Sequence, residues 1–142
     1  MNPERTADSD QRSAAWLSAL EQRHLADLTL SETARALRAL SSCYVERRAK
    51  VSAALDTKGK RAAFALFYAP LHFLVVREIV RAIPDAISGI MHIHDLGCGT
   101  GSAGAAWAVE CGTARMSGVD RHPWAVAEAN WTYRQLGLDG RA

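Results

Sequence analysis

His94-Asp95-Leu96-Gly97-Cys98-Gly99-Thr100-Gly101 is the stretch that decides how this chain is read. A short apolar run ends in a carboxylate, and glycine then takes every second position before an alanine-rich segment begins. Glycine is needed where backbone turns with positive φ and where a ligand packs directly on the main chain. The pattern predicts a strand, a tight loop and a helix, with ligand space at the carboxyl end of the strand.

Working outward, the strand is expected over 90–96 and the helix over 102–110, closed by Gly112. A second strand is expected over 114–119, ending in Asp120, which lies 25 positions after Asp95. A carboxylate there can accept both hydroxyls of a ribose lying across the strand ends. His122-Pro123 opens a further helix, lined by Trp124, Ala127, Trp131, Tyr133 and Leu136 and stopped by Gly137. Strand, helix and strand with short connections imply a parallel pair joined by a right-handed crossover. Only two strands are readable, and Gly140-Arg141-Ala142 reads as the loop before a third.

Upstream of Pro84 the pattern is helical. Residues 1–10 read as a frayed tail, and 12–28 as a helix with Trp16, Leu17, Leu20, Leu25 and Leu28 at helical spacing. Thr29 and Glu32 fit a capping box opening a second helix, which continues or restarts through Tyr44, Val45 and Val51. Thr57 to Lys60 reads as a break, because Gly59 is costly inside a helix. Residues 61–69 are helical again, and Pro70 either opens a new helix or kinks one long one. The expected organisation is a tail over 1–10, a helical segment over 11–84 and an α/β unit over 85–142.

Composition narrows the function classes. With 142 residues, 49% hydrophobic content and a net charge of +2, the chain suits a globular domain and carries no global argument for nucleic acid. Cys43, Cys98 and Cys111 have no metal-type spacing and are odd in number, so a reducing, cytoplasmic setting is expected. Residues 62–76, broken by Pro70 and His72, read as too short for a bilayer, and no membrane partner is expected.

Asp95 to Gly101 resembles motif I of class I S-adenosylmethionine (SAM) dependent methyltransferases, acid-x-Gly-x-Gly-x-Gly, and Asp120 matches that superfamily's acid after the second strand. The resemblance covers about residues 90–138. It implies an α/β, Rossmann-like fold, truncated here and preceded by helices, with SAM as cofactor. It would place Gly97, Gly99 and Gly101 under the methionyl part, Asp95 toward the ammonium and Asp120 on the ribose. Cys98, at a variable loop position, would offer its backbone. The resemblance names no catalytic residue within this stretch and leaves the methyl acceptor open, with RNA as one candidate. Residues 61–80, a long helix with a proline ahead of the glycine loop, faintly resemble a methyltransferase-like family involved in small-ribosomal-subunit assembly. A non-catalytic SAM-binding assembly factor is therefore the alternative from another class.

Gly99-Thr100-Gly101-Ser102-Ala103-Gly104 also satisfies G-x-G-x-x-G, with Asp120 21 positions past Gly99, as an NAD or FAD site asks. Asp95 would then stand beside a pyrophosphate, whereas SAM brings two cationic groups and no phosphate. Among weaker signals, His92 and His94 share one strand face and are expected to pack beneath the helices. His24 and His72 read as helix-surface or interfacial residues. Arg47, Arg48, Lys50, Lys58, Lys60 and Arg61 form a basic run that could hold an RNA backbone or be a solvated face. Phe64, Phe67, Tyr68 and Phe73 read as core, with Tyr68 and His72 the candidates for a rim over the cofactor. With two strands and open edges, the chain alone is expected to be oligomeric or only marginally stable, to bind SAM weakly or not at all, and to show no transferase activity.

Overall fold

The computed structural model describes residues 3–45, 55–112 and 115–142. The order is α1 (Pro3–His24), α2 (Leu30–Val45), α3 (Lys58–Ala63), a π-helical turn (Phe64–Tyr68), α4 (Ala69–Ala82), β1 (His92–Leu96), α5 (Ser102–Cys111), β2 (Arg115–Val119), α6 (Pro123–Gln135) and β3 (Gly140–Arg141). The architecture is mixed helix and parallel sheet, with strand order β1-β2-β3.

The sheet extends one strand further than expected. Gly140 and Arg141 pair in parallel with Met116 and Ser117. Two residues with a glycine carry no strand periodicity, so nothing local announced them.

α5 explains the layering. Alanine and glycine dominate it, and Gly104, Ala105, Ala106, Ala108 and Val109 are all buried. A helix apolar all round is buried all round, and α5 lies between the sheet and α4. Trp16 of α1 and Phe73 of α4 meet at 5.0 Å between ring centres in the same core.

The helical half departs from expectation in four places. α1 starts at Pro3, so residues 3–10 are not a tail. Ser9 is buried and donates to Glu110 Oε1 at 2.6 Å, while Arg5 donates to the Glu110 carbonyl at 2.7 Å. α1 ends at His24, four residues short of the expected Leu28. Gly59 lies inside α3, whose N-cap is Thr57. A Cβ there would meet Ala36 Cβ of α2 at 3.3 Å, so glycine permits a close helix–helix approach. Finally, Pro70 does not open a new helix: of its two expected roles, an irregularity within one long helix holds. The preceding turn widens, with the Ala69 N–H bonded to the Phe64 carbonyl, and this π-helical turn accommodates the proline. Lys58–Ala82 is thus one helix of 25 residues, long and apolar enough to cross a membrane by length and composition, contrary to the broken segment expected. Here one side of it packs on α5. The expected continuation through Val51 lies outside the described residues.

The capping box is present as read. The Thr29 N–H donates to Glu32 Oε2 at 2.8 Å, and the Glu32 N–H donates to Thr29 Oγ1 at 3.2 Å.

Two buried glutamates join the halves. Glu110 of α5 receives Ser9 and, at 3.0 Å, Arg81 of α4. Glu128 of α6, 1% exposed, receives His24 Nε2 at 2.6 Å and Arg23 at 3.2 Å. The two Glu128 partners hold its carboxyl below the usual range against the opposing effect of burial.

Candidate functional site

The glycine loop is held by the end of β2. The N–H groups of Gly97 and Cys98 both donate to the Val119 carbonyl, at 2.9 and 3.0 Å, and the Gly101 N–H donates to the Cys98 carbonyl at 2.8 Å. Gly97, Gly99 and Gly101 have φ of 76°, 55° and 79°, a region that costs other residues roughly 1–2 kcal/mol.

The glycines divide by what surrounds them. A Cβ at Gly97 or Gly99 would meet nothing within 4 Å. At Gly101 it would lie 2.5 Å from Tyr133 Cε1, and at Gly118 2.6 Å from Tyr133 Oη. At Gly104 it would lie 2.6 Å from Asp95 Oδ2. The first pair faces open space, and the others make room for side chains beneath the loop.

Both carboxylates stand at this end of the sheet. Asp95 accepts the Gly104 N–H at 3.0 Å. Its pKa is raised by burial and by the negative charge of Asp120, although the Gly104 bond works the other way. Asp120 accepts the Gly99 N–H at 3.0 Å on one oxygen and the His122 N–H at 2.8 Å on the other. It therefore braces the loop and the start of α6, a role the sequence reading did not include. Each oxygen has a further lone pair for a hydroxyl donor. Among the described residues, neither acid forms an ion pair.

Cys98 is buried and its thiol is pushed up to about 11, chiefly by burial, which disfavours the thiolate. Thr100 Oγ1 is buried without a hydrogen-bond partner among the described residues, and Tyr133 Oη is buried against the Cys98 thiol. Tyr133 and Gly118 were missed as loop-shaping residues, because Tyr133 reads simply as one apolar position on α6.

The aromatic cluster splits. Phe73 is core. Phe64 meets Tyr68 at 5.6 Å, His72 at 6.5 Å and Trp124 of α6 at 6.4 Å. Trp124 meets His122 at 6.2 Å, and the His122 N–H is bonded to Asp120. A row of rings thus runs from the π-helical turn to Asp120, with Tyr68 half-buried and His72 exposed.

Two weaker readings are corrected or left without support. His92 and His94 do not pack beneath helices. They are exposed on the open sheet face, stacked at 4.1 Å, with Ser117 Oγ 2.7 Å from His94 Nδ1. Ile93 and Met116 take the helix-facing side, because side chains alternate along a strand. His24 is interfacial, held by Glu128. In the basic run, Lys58 pairs with Asp27, Lys60 with Asp56, and Arg61 donates to the Leu55 carbonyl. These cations are engaged within the chain, and Arg47, Arg48 and Lys50 lie outside the described residues. Among the described residues no cluster has the makings of a metal site.

Compared with family models, with curated proteins and with solved structures, the chain matches none of them.

Proposed function

We propose that residues 90–142 form the cofactor half of a Rossmann-like, SAM-dependent methyltransferase. The observation that carries the reading is the pairing of open space over Gly97 and Gly99 with two carboxylates that have no cationic partner among the described residues. A ligand placed there meets bare backbone and a negative potential. SAM answers both, with an ammonium and a sulfonium and no phosphate.

The residues fit that group by their chemistry. Asp95, whose ionised form is disfavoured by its surroundings, gains from a nearby cation. Asp120 has lone pairs for the ribose hydroxyls, and the Gly97–Gly99 backbone offers a surface on which no side chain intrudes. When bound, SAM supplies an electrophilic methyl group. The work of these residues is to hold it in a fixed orientation, which is the main need of a direct displacement. No residue is assigned to the acceptor. RNA stays a candidate acceptor by resemblance, since in the basic run Lys58 and Lys60 are ion-paired within the chain and Arg61 donates to the Leu55 carbonyl.

Asp95 also weighs against a dinucleotide. Its carboxylate occupies the Gly104 N–H in the first turn of α5, one of the donors a pyrophosphate at that helix end would use.

The test is a titration of the parent and of Asp120→Ala with SAM and with NAD. With the sheet one strand larger than expected, SAM is expected to bind and NAD not to. Loss of a charged hydrogen-bond acceptor costs roughly 1.5–3 kcal/mol per bond, so Asp120→Ala should weaken SAM more than about tenfold. Tight NAD binding without SAM binding would overturn the proposal.

A further inference from the structure

Tyr133 is fully buried in α6, and three glycines from three different elements face its ring. A Cβ on Gly101, in the loop, would lie 2.5 Å from Cε1. One on Gly118, in β2, would lie 2.6 Å from Oη, and one on Gly140, in β3, 3.1 Å from Cδ2. The Tyr133 carbonyl also accepts the Leu138 N–H at 2.9 Å, fixing the turn that leads into β3. A single ring therefore sets the spacing among loop, second strand and third strand. Its hydroxyl is buried against the Cys98 thiol of the loop, so the ring touches the loop from below as well as spacing the strands.

We infer that Tyr133 is a positioning residue that props the glycine loop from beneath and so holds Gly97 and Gly99 open to a ligand. The inference rests on the proposed ligand site only for its affinity readout, because the loop's conformation can be read without ligand. Burial alone does not account for the arrangement. Gly118 is a β-strand position with no positive φ to demand glycine, so what glycine supplies there is room for the Tyr133 hydroxyl and the Cys98 thiol.

The experiment is a double-mutant cycle on the full chain with Gly118→Ala and Tyr133→Phe, read by the amide resonances of Gly97 and Gly99 and by SAM titration. Gly118→Ala pushes a methyl group into the hydroxyl and should shift both amides and weaken SAM about tenfold. Adding Tyr133→Phe removes the atom nearest to that methyl group. What remains is Cys98, whose Sγ would lie 2.8 Å away at the end of a short side chain. The double variant should recover most of the affinity and return the amides toward their parent positions. A double variant no better than Gly118→Ala, or unmoved loop amides in Gly118→Ala, would overturn the inference.

If Gly118→Ala does not fold, Tyr133→Leu serves in its place. It should move the same amides, while Tyr133→Phe, which keeps the ring, restores them. Equal displacement in Leu and Phe variants would show that the ring is not the prop. A parent that fails to bind SAM would sink the ligand reading and leave the amide comparison to decide the role of Tyr133.

Discussion

The strand half and the helical half of this chain are held in shape by different means. Around the glycine loop the backbone does most of the work. Gly97, Gly99 and Gly101 adopt positive φ, and the Val119 carbonyl takes two of the loop's N–H groups. In the helical half the joins are made by long polar side chains. Arg81 and Ser9 reach Glu110, and Arg23 and His24 reach Glu128. A backbone-built site has little freedom and suits ligand binding, since its geometry is paid in advance. Side-chain latches suit the docking of preformed helices, each contact replaceable at moderate cost. Changes in the strand half should therefore act on ligand affinity first, and changes in the helical half on stability first.

The largest expected effect is that of Gly99→Val. Its φ of 55° is unfavourable for a β-branched residue, and the added side chain would fill the open space above the loop. SAM binding should fall by more than about a hundredfold, the loss of about 2.8 kcal/mol or more. Circular dichroism should show the helices intact. A variant that binds SAM like the parent would mean that the space over Gly99 is not ligand space.

Glu128→Ala probes a latch that ties the helical half to α6. It removes a buried carboxylate that His24 and Arg23 both contact, and Arg23 can turn to solvent because its side chain is 42% exposed. The expected loss is about 2 kcal/mol in denaturant unfolding, with SAM affinity unchanged below the transition. An affinity loss at a temperature where the protein is folded would dissolve the distinction between the halves.

What could be read in advance follows the same division. The glycine loop, the helix opened at His122-Pro123 and the Thr29–Glu32 box each declare themselves within a few residues. Geometry of that kind is encoded by residue type at short spacing. The latches are not: Ser9 and Glu110 are 101 positions apart, and His24 and Glu128 are 104 apart. A glutamate on a helix reads as surface unless its distant partner is known. The π-helical turn was hidden because a proline signals a new helix or a kink without saying which turn of the helix widens to take it. Asp120 was read as a ribose acceptor alone, because its bonds to Gly99 and His122 depend on how the loop folds back.

Asp95→Asn sharpens the comparison by making affinity and stability move in opposite directions. The raised pKa means that the folded chain holds its proton more tightly than the unfolded chain does. Stability from this group is therefore fully present below the unfolded pKa and is lost as pH rises through the folded pKa. At neutral pH the ionised carboxylate works against folding. Asparagine still accepts the Gly104 N–H but carries no charge, so the melting temperature should rise while SAM affinity falls about tenfold. The rise should vanish when the melts are repeated in acid. A lowered melting temperature at neutral pH would show that the charge is compensated.

The smallest effect belongs to Thr29→Ala, far from the loop. The side chain caps the first turn of α2 through the Glu32 N–H, and the Glu32 carboxylate returns the bond to the Thr29 N–H. Alanine removes the first bond and leaves the second without its reciprocal partner. Both residues are exposed, so water takes over part of the lost bonding, and the melting temperature should drop by about 2–4 °C. The same box carries its own pH signature. Thr29, through its backbone N–H first and its hydroxyl second, holds the Glu32 carboxyl below the usual range. Its contribution is present above the unfolded pKa and is lost as pH falls through the folded one. The gap between parent and variant should therefore narrow in acid, where the bond from the Thr29 hydroxyl to the Glu32 carboxylate is lost, but not close, because the bond from the Glu32 N–H to Thr29 Oγ1 does not titrate. SAM affinity should be equal in the two at neutral pH. A gap that closes fully in acid would place the threonine's role in the carboxylate contact alone, and a change in SAM affinity would tie α2 to the loop through a route that its position in the fold does not suggest.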